Sequence, residues 1–216
     1  PPLAPGAHVL HFRAGESQRS EALADEFAPR GKLFQHLLDA FLRTFHGRQR
    51  RVAKPIIAAM TGHLIAGGMM LSLNSDLRVG LKGTQVGITE TRIAGRGSPW
   101  AIPLLWMLPQ PLLMEMVLTG DLYPIATFHQ LGFINYLEDT PDAVRARALL
   151  LAERIRDNAP LSVMAGKESI MTAMSAGCDA GMALAHNIYR AAYASEDAQE
   201  GPRAFAEKRK PVWKGR

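Results

Sequence analysis

Apolar residues recur at three- and four-residue steps through Leu33, Phe34, Leu37, Leu38, Phe41, Leu42 and Phe45. That is the spacing of one buried helix face, so the pattern predicts an amphipathic helix ending near Gly47. Ahead of it, His8-Val9-Leu10-His11-Phe12 reads as a short strand ending in Arg13-Ala14-Gly15, and Glu16 to Gly31 reads as a polar loop. Behind it the period changes. Pro55-Ile56-Ile57-Ala58-Ala59-Met60 is a continuous apolar run, the pattern of a strand buried on both faces. Gly62-His63-Leu64-Ile65-Ala66-Gly67-Gly68 and then Met69-Met70-Leu71-Ser72-Leu73 follow. The order is strand, tight glycine turn and helix over Gly68 to Asn74. Glycines at such a turn let a ligand approach bare backbone, and amides at a helix start lack intrahelical partners.

Leu77-Arg78-Val79 and Gln85-Val86-Gly87 read as further short strands, whereas Glu90 to Pro99 carries glycine and charge without periodicity. Alternating strands and helices predict an α/β fold with a parallel or mixed sheet and right-handed crossovers. The second half reads as helical over Trp100–Leu108, Leu112–Leu118, Ile125–Leu131, Asp142–Asn158, Leu161–Met174, Asp179–Tyr193 and Pro202–Arg209. Pro99, Pro109, Pro124, Pro141 and Pro160 punctuate these segments, and Pro103 predicts a kink. Phe133-Ile134-Asn135-Tyr136 reads as one late strand. No internal repeat or low-complexity segment stands out.

Composition narrows the function classes. With 216 residues, 47% of them hydrophobic, the chain can bury a sizeable core. No run approaches about 18 apolar residues, so no membrane span is expected. The start, Pro1-Pro2-Leu3-Ala4-Pro5-Gly6, lacks a charged signal-peptide opening. The single Cys178 excludes an internal disulfide and a multi-cysteine metal site, and fits a reducing compartment such as the cytoplasm. Seven scattered histidines show no metal-ligand spacing, so no metal is expected. His63 reads as a packed or surface residue. Met60, Met69, Met107, Met114 and Met116 are expected to fill core or pocket volume. The net charge of +5 comes from dispersed basic residues without interleaved aromatics, which argues against a nucleic-acid partner. Two basic clusters stand out, Arg48, Arg50, Arg51 and Lys54, then Lys208, Arg209, Lys210 and Lys214. They read either as solvated faces or as contacts for small phosphate-bearing ligands.

Several segments together resemble the enoyl-CoA hydratase/isomerase family, the crotonases. Lys54-Pro55-Ile56-Ile57-Ala58-Ala59-Met60-Thr61-Gly62 resembles the family's K-P-V-I-A-A-V-N-G strand, and Ala66-Gly67-Gly68 stands where G-G-G is usual. Asp76-Leu77-Arg78-Val79 resembles C-D-[IL]-R-[IV]-A; Leu118-Thr119-Gly120-Asp121 matches L-T-G-D; Leu131-Gly132-Phe133-Ile134 resembles the later G-L-V. Phe12-Arg13-Ala14-Gly15 resembles F-x-A-G-[AG]-D, with Ser17 in place of the usual aspartate, and Ala204 to Pro211 resembles A-F-x-E-K-R-x-P. The segments follow family order from about residue 9 to the end.

The resemblance implies a ββα superhelical core over residues 1–140 and a C-terminal helical region for trimerisation and CoA contact over residues 141–216. It implies acyl-CoA thioester substrates, with coenzyme A entering only as part of the substrate and no separate cofactor. It implies an oxyanion hole of two backbone amides, carried here onto Ala14 and Gly67. Such amides favour the transition state because the enolate charge they stabilise develops only during reaction. Ala66 replaces a glycine, which is conservative only with a negative φ. Of the family's two glutamates, one position is Glu90 and the other is Met70, which cannot carry a proton. One carboxylate suits double-bond shifting between 3-enoyl and 2-enoyl thioesters, and Met70 counts against an ordinary two-glutamate hydratase.

Ala66, Gly68, Met70, Gly97, Ser98 and Trp100 are implied to line the acyl site, while Arg96 and Trp100 read equally well as pocket residues or as surface and packing residues. Ser98 stands where some relatives carry a catalytic aspartate, and is expected to cap the helix that starts at Pro99. Phe205 and Lys208 on the last helix are implied to meet the nucleotide end of CoA. The family's early strand, helix and strand, and its N-A-[LF]-[ST] segment, have no counterpart before Phe12. The resemblance further implies a homotrimer or a dimer of trimers, with Leu112 to Leu131 and the C-terminal helices as candidate contacts. A non-catalytic acyl-CoA-binding homologue is the alternative reading. A serine protease on a related fold needs a constellation that Ser72 and His63 do not announce.

Overall fold

The computed structural model describes residues 8–12, 52–95 and 97–216. The predicted helix from Leu33, the loop before it, Ala14, the first basic cluster up to Arg51 and Arg96 lie outside the described residues. The chain divides into two units. One is built on residues 56–149 with most of the strand at 8–12; the other on residues 150–216 with the segment 52–55.

The first unit carries two small sheets. In the four-stranded one, β1 (His8–Phe12), β2 (Ile56–Met60), β4 (Leu77–Leu81) and β7 (Tyr136–Glu138) lie side by side in that order. β2 pairs parallel to β4, and β4 parallel to β7. All five β2 residues are buried, as the unbroken apolar run requires of a strand covered on both faces. The three-stranded sheet places β5 (Gln85–Gly87) between β3 (Leu64–Ile65), which runs parallel, and β6 (Leu122–Pro124), which runs antiparallel. Neither β3 nor β6 has a period-2 signal, because each is only two or three residues long. Between the strands lie α1 (Gly67–Leu73), a 3₁₀ helix (Pro99–Trp106), α2 (Gln110–Thr119) and α3 (Ile125–Gln130). Pro103 sits within the 3₁₀ segment, where its ring would clash with an α-helical carbonyl four residues back. The core joins Met60, Leu64, Met69, Met70, Ile88, Trp100, Leu104, Met116, Phe128 and Phe133. Met114, expected inside, is exposed on the outer side of α2.

Arg78 is the buried polar centre of this unit. Its Nε donates to Phe133 O at 2.6 Å, and its Nη1 to Ser72 O at 3.0 Å and Ser75 O at 2.5 Å. The guanidinium lies 4.5 Å from the Phe133 ring centroid. One side chain on β4 thus closes the C-terminal end of α1 and fixes the chain ahead of β7. Burial lowers its pKa to about 10 against the opposing pull of Asp76. The late strand begins at Tyr136 rather than Phe133. Phe133 and Ile134 instead bond back to Phe128 O at 2.9 and 3.1 Å, finishing α3.

The second unit is helical: the end of α4 (Pro141–Arg156), α5 (Pro160–Ala176), α6 (Cys178–Tyr193) and α7 (Glu196–Ala206). The last helix starts six residues earlier than Pro202, because Ser195 caps it, accepting from Ala198 N at 3.2 Å. It also ends before Arg209. Arg209 grips Glu200 through both Nη atoms, at 2.5 and 2.9 Å, while Asp197 accepts the amides of Lys214 and Gly215 at 2.6 and 2.9 Å. The tail is thereby latched to the helix. Among the described residues, no helix is long and apolar enough to cross a membrane.

Candidate active site

The site is built where two parallel strands end together. Ile65 of β3 pairs with Gly87 of β5, and one residue further on Ala66 N donates to Gly87 O at 3.3 Å. The chain then leaves β3 into the glycine turn and leaves β5 toward Glu90. Carboxyl ends of parallel strands gather loops on one edge, so both segments open there.

On the β3 side, α1 starts at Gly67, and its first intrahelical bond runs from Met70 N to Ala66 O at 3.0 Å. The amides ahead of Met70 therefore precede the helix ladder. Gly67 is exposed, and a Cβ added to it would meet nothing within 4 Å, so the backbone is open to approach. Ala66 has φ 48° and ψ −114°. The replacement of glycine here is therefore not conservative: alanine holds a backbone conformation that suits glycine, at a cost of about 1–3 kcal/mol.

On the β5 side, Glu90 opens a π-helical turn over Glu90–Ala94, a wide turn often found at functional positions. The turn is tied to α2 by Thr91 Oγ1 donating to Val117 O at 2.9 Å, and to the segment just after that helix by an Arg92–Asp121 ion pair at 3.1 Å. Gly120, with φ 69°, ends α2 against Arg92, which gives the Leu118-Thr119-Gly120-Asp121 segment its physical reason. Glu90 Oε1 accepts the Trp100 indole N–H at 3.0 Å. Glu90 Oε2 and Ser98 Oγ are buried without a hydrogen-bond partner. Burial pushes the Glu90 pKa up; the amides of Glu90 and Thr89, the Trp100 indole and the Ser98 hydroxyl pull it partly back. A carboxyl raised in this way holds a proton more readily than a free one, which suits it to proton transfer.

Ser98 stands at the N-cap position of the 3₁₀ helix but makes no capping bond, so its expected role is not what its hydroxyl does. Trp100 is buried in the same core cluster as Met69 and Met70 of α1. Trp100 reads from the sequence as either a pocket or a packing residue, and only the fold reveals its bond to Glu90. Met70 is fully enclosed by that cluster. Gly68 is half-buried and Gly97 exposed. His63 is a structural residue, its Nδ1 accepting Gln85 N at 3.0 Å. In the helical unit Phe205 is 86% exposed on the last turn of α7, and Lys208 lies past the helix end with φ 53° rather than on it. Of the second basic cluster, Arg209 and Lys214 are engaged by Glu200 and Glu196, whereas Lys208 and Lys210 are exposed. Among the described residues, no three His, Cys, Asp or Glu side chains are grouped to hold a metal ion.

Residues 23–216 match the enoyl-CoA hydratase/isomerase family. The chain belongs to that family. The match begins after Ala14 and includes the glycine turn, Glu90 and the last helix. The chain is 32% identical over 165 residues to the (E)-benzylidenesuccinyl-CoA hydratase of Thauera aromatica, covering 75% of this chain and 63% of that protein. It is 33% identical over 172 residues to the carnitinyl-CoA dehydratase of Salmonella typhi, covering 76% and 64%. The solved enoyl-CoA hydratase of Mycobacterium tuberculosis H37Rv superposes with a TM-score of 0.71 at 37% identity, covering 76% and 65%. The chain thus spans slightly under two thirds of the length of these relatives. The crotonase fold expected from the motifs is the fold found.

Proposed function

We propose that this chain acts on acyl-CoA thioesters by enolate chemistry, as a hydratase or isomerase with Glu90 as its one acid/base. The observation that carries this is the Ile65–Gly87 register, which starts the exposed Gly67 turn and the approach to Glu90 from one sheet edge. The thioester carbonyl would lie against the Gly67 amide, with the Ala14 amide as the second donor by motif. Charge moves onto the carbonyl oxygen as a neighbouring C–H or C=C bond reacts, so fixed amides lower the barrier. Glu90, held by Trp100 and raised by burial, takes up and returns the proton. Ala66, Gly68, Gly97 and Met70 shape the surroundings of that oxygen and acyl group, and Phe205 and Lys208 supply an apolar face and a cation for the nucleotide.

The hydratase and dehydratase relatives support this class. Self-association is part of the proposal: Met114, Leu118, Leu122 and Leu131 are all exposed apolar residues within the segment expected to join subunits. The test is product analysis on paired 2-enoyl- and 3-enoyl-CoA substrates in D₂O. A 3-hydroxyacyl product or an isomerised, deuterated acyl chain is expected. Tight acyl-CoA binding with no product and no exchange would contradict turnover and support the binding-only alternative.

A further inference from the structure

Met70 leaves the site with one carboxylate, which raises the question of what holds a second reactant against it. Two buried oxygens give an answer. Among the described residues Glu90 Oε2 and Ser98 Oγ are each buried without a hydrogen-bond partner. A buried polar atom left unpaired costs free energy, so two in one neighbourhood mark a position that a polar ligand completes. The Ser98 hydroxyl is near enough to Glu90 to hold its pKa down. Ser98 is also released from capping duty. The other carboxyl oxygen is taken: the Trp100 indole, a donor only, sits 3.0 Å from Oε1. Among the described residues, burial raises the Glu90 pKa, and the groups that lower it are this indole, the Ser98 hydroxyl and the amides of Thr89 and Glu90, none of them a charged side chain.

We propose that Glu90 Oε2 and Ser98 Oγ together hold a water molecule as the second reactant, with Trp100 the positioning residue that leaves Oε2 as the proton-transferring oxygen. This rests on the acyl-CoA reading above and narrows it to hydration and its reverse. Water donates one O–H to Oε2 and accepts the Ser98 O–H. Its oxygen bonds to C3 of the 2-enoyl thioester, and its proton passes to Oε2. The C2=C3 π pair moves onto the thioester as the enolate. Oε2 then delivers the proton to C2. One water is consumed and the carboxylate is restored.

The test compares wild type, Ser98→Ala, Trp100→Phe and Trp100→His with a short 2-enoyl-CoA in ¹⁸O-labelled water. In parallel, the Glu90 carboxyl is titrated by ¹³C NMR and assigned by its loss in Glu90→Gln. The expected result is ¹⁸O in the 3-hydroxyacyl product. Ser98→Ala should lower kcat at pH 7 by about 10-fold or more with KM nearly unchanged, the scale of a lost donor in proton transfer. Trp100→Phe should move both the Glu90 titration and the acid limb of kcat/KM to higher pH, and Trp100→His, which keeps a ring N–H, should restore part of the shift. An unchanged kcat in Ser98→Ala, or an unmoved Glu90 titration in folded Trp100→Phe, would overturn the proposal. If Trp100→Phe does not fold, Ser98→Ala decides alone. Double-bond shifting without ¹⁸O incorporation would overturn the water proposal and leave the acyl-CoA reading standing. No conversion of any enoyl-CoA would overturn both.

Discussion

The Ala66 amide donates to the Gly87 carbonyl at 3.3 Å, and this bond ties the glycine turn to the strand that leads into Glu90. Twenty-one residues separate the two in sequence. The parallel pairing of β3 with β5 sets them side by side, so the proposed oxyanion donor and acid/base share one rigid edge.

Ala66 holds φ 48°, and a glycine there would relax it. Ala66→Gly is expected to raise stability by about 1 kcal/mol, as relief of strain exceeds the added freedom of the unfolded chain. Urea unfolding checks this. A loss of stability would show that the turn is unstrained.

Glu90 makes stability depend on pH in a definite direction. Its folded pKa is raised by burial, so between the unfolded and folded values the folded state binds more protons. Stability therefore falls as pH rises through that window, and the ionised carboxylate is a burden at neutral pH. Glu90→Gln is expected to melt higher than wild type at pH 7, with the gain shrinking as the pH falls from the raised folded value toward the unfolded value of about 4. Thermal melts across pH check it, and a lower Tm at pH 7 would contradict the buried, unpaired Oε2.

Arg78 satisfies Phe133 O, Ser72 O and Ser75 O from inside the core. Arg78→Met strands these carbonyls and is expected to cost about 3 kcal/mol or more. Denaturant unfolding measures it. A change under 1 kcal/mol would mean that water replaces the guanidinium.

Leu118 is 66% exposed on α2. If this helix joins subunits as proposed, Leu118→Asp should shift the sedimenting species toward monomer. The same mass for wild type and variant would remove this helix from the interface.

What the sequence made legible follows from where the physics is local. The apolar run at Pro55–Met60, the glycine turn and the long C-terminal helices each carry their own period, and they appear where expected. The motif order likewise identified the family. The two- and three-residue strands β3 and β6 carry too few positions for any period, yet β3 is what aligns the site. The π turn at Glu90 and the Trp100–Glu90 bond arise from packing between segments, which no local pattern encodes. The positive φ of Ala66 was foreseeable only as a condition on the glycine it replaces. Lys208 lies past the helix end with φ 53°, next to Arg209, whose partner Glu200 is nine residues away in sequence.

The most direct test of the account is the deuterium entering the acyl chain in D₂O, measured by mass spectrometry for wild type and Glu90→Gln with a 2-enoyl-CoA and its 3-enoyl isomer. Incorporation is expected in wild type, with a loss of about 10²-fold or more in Glu90→Gln, the scale of a removed acid/base. Equal incorporation in the two proteins would contradict it and take Glu90 out of the chemistry.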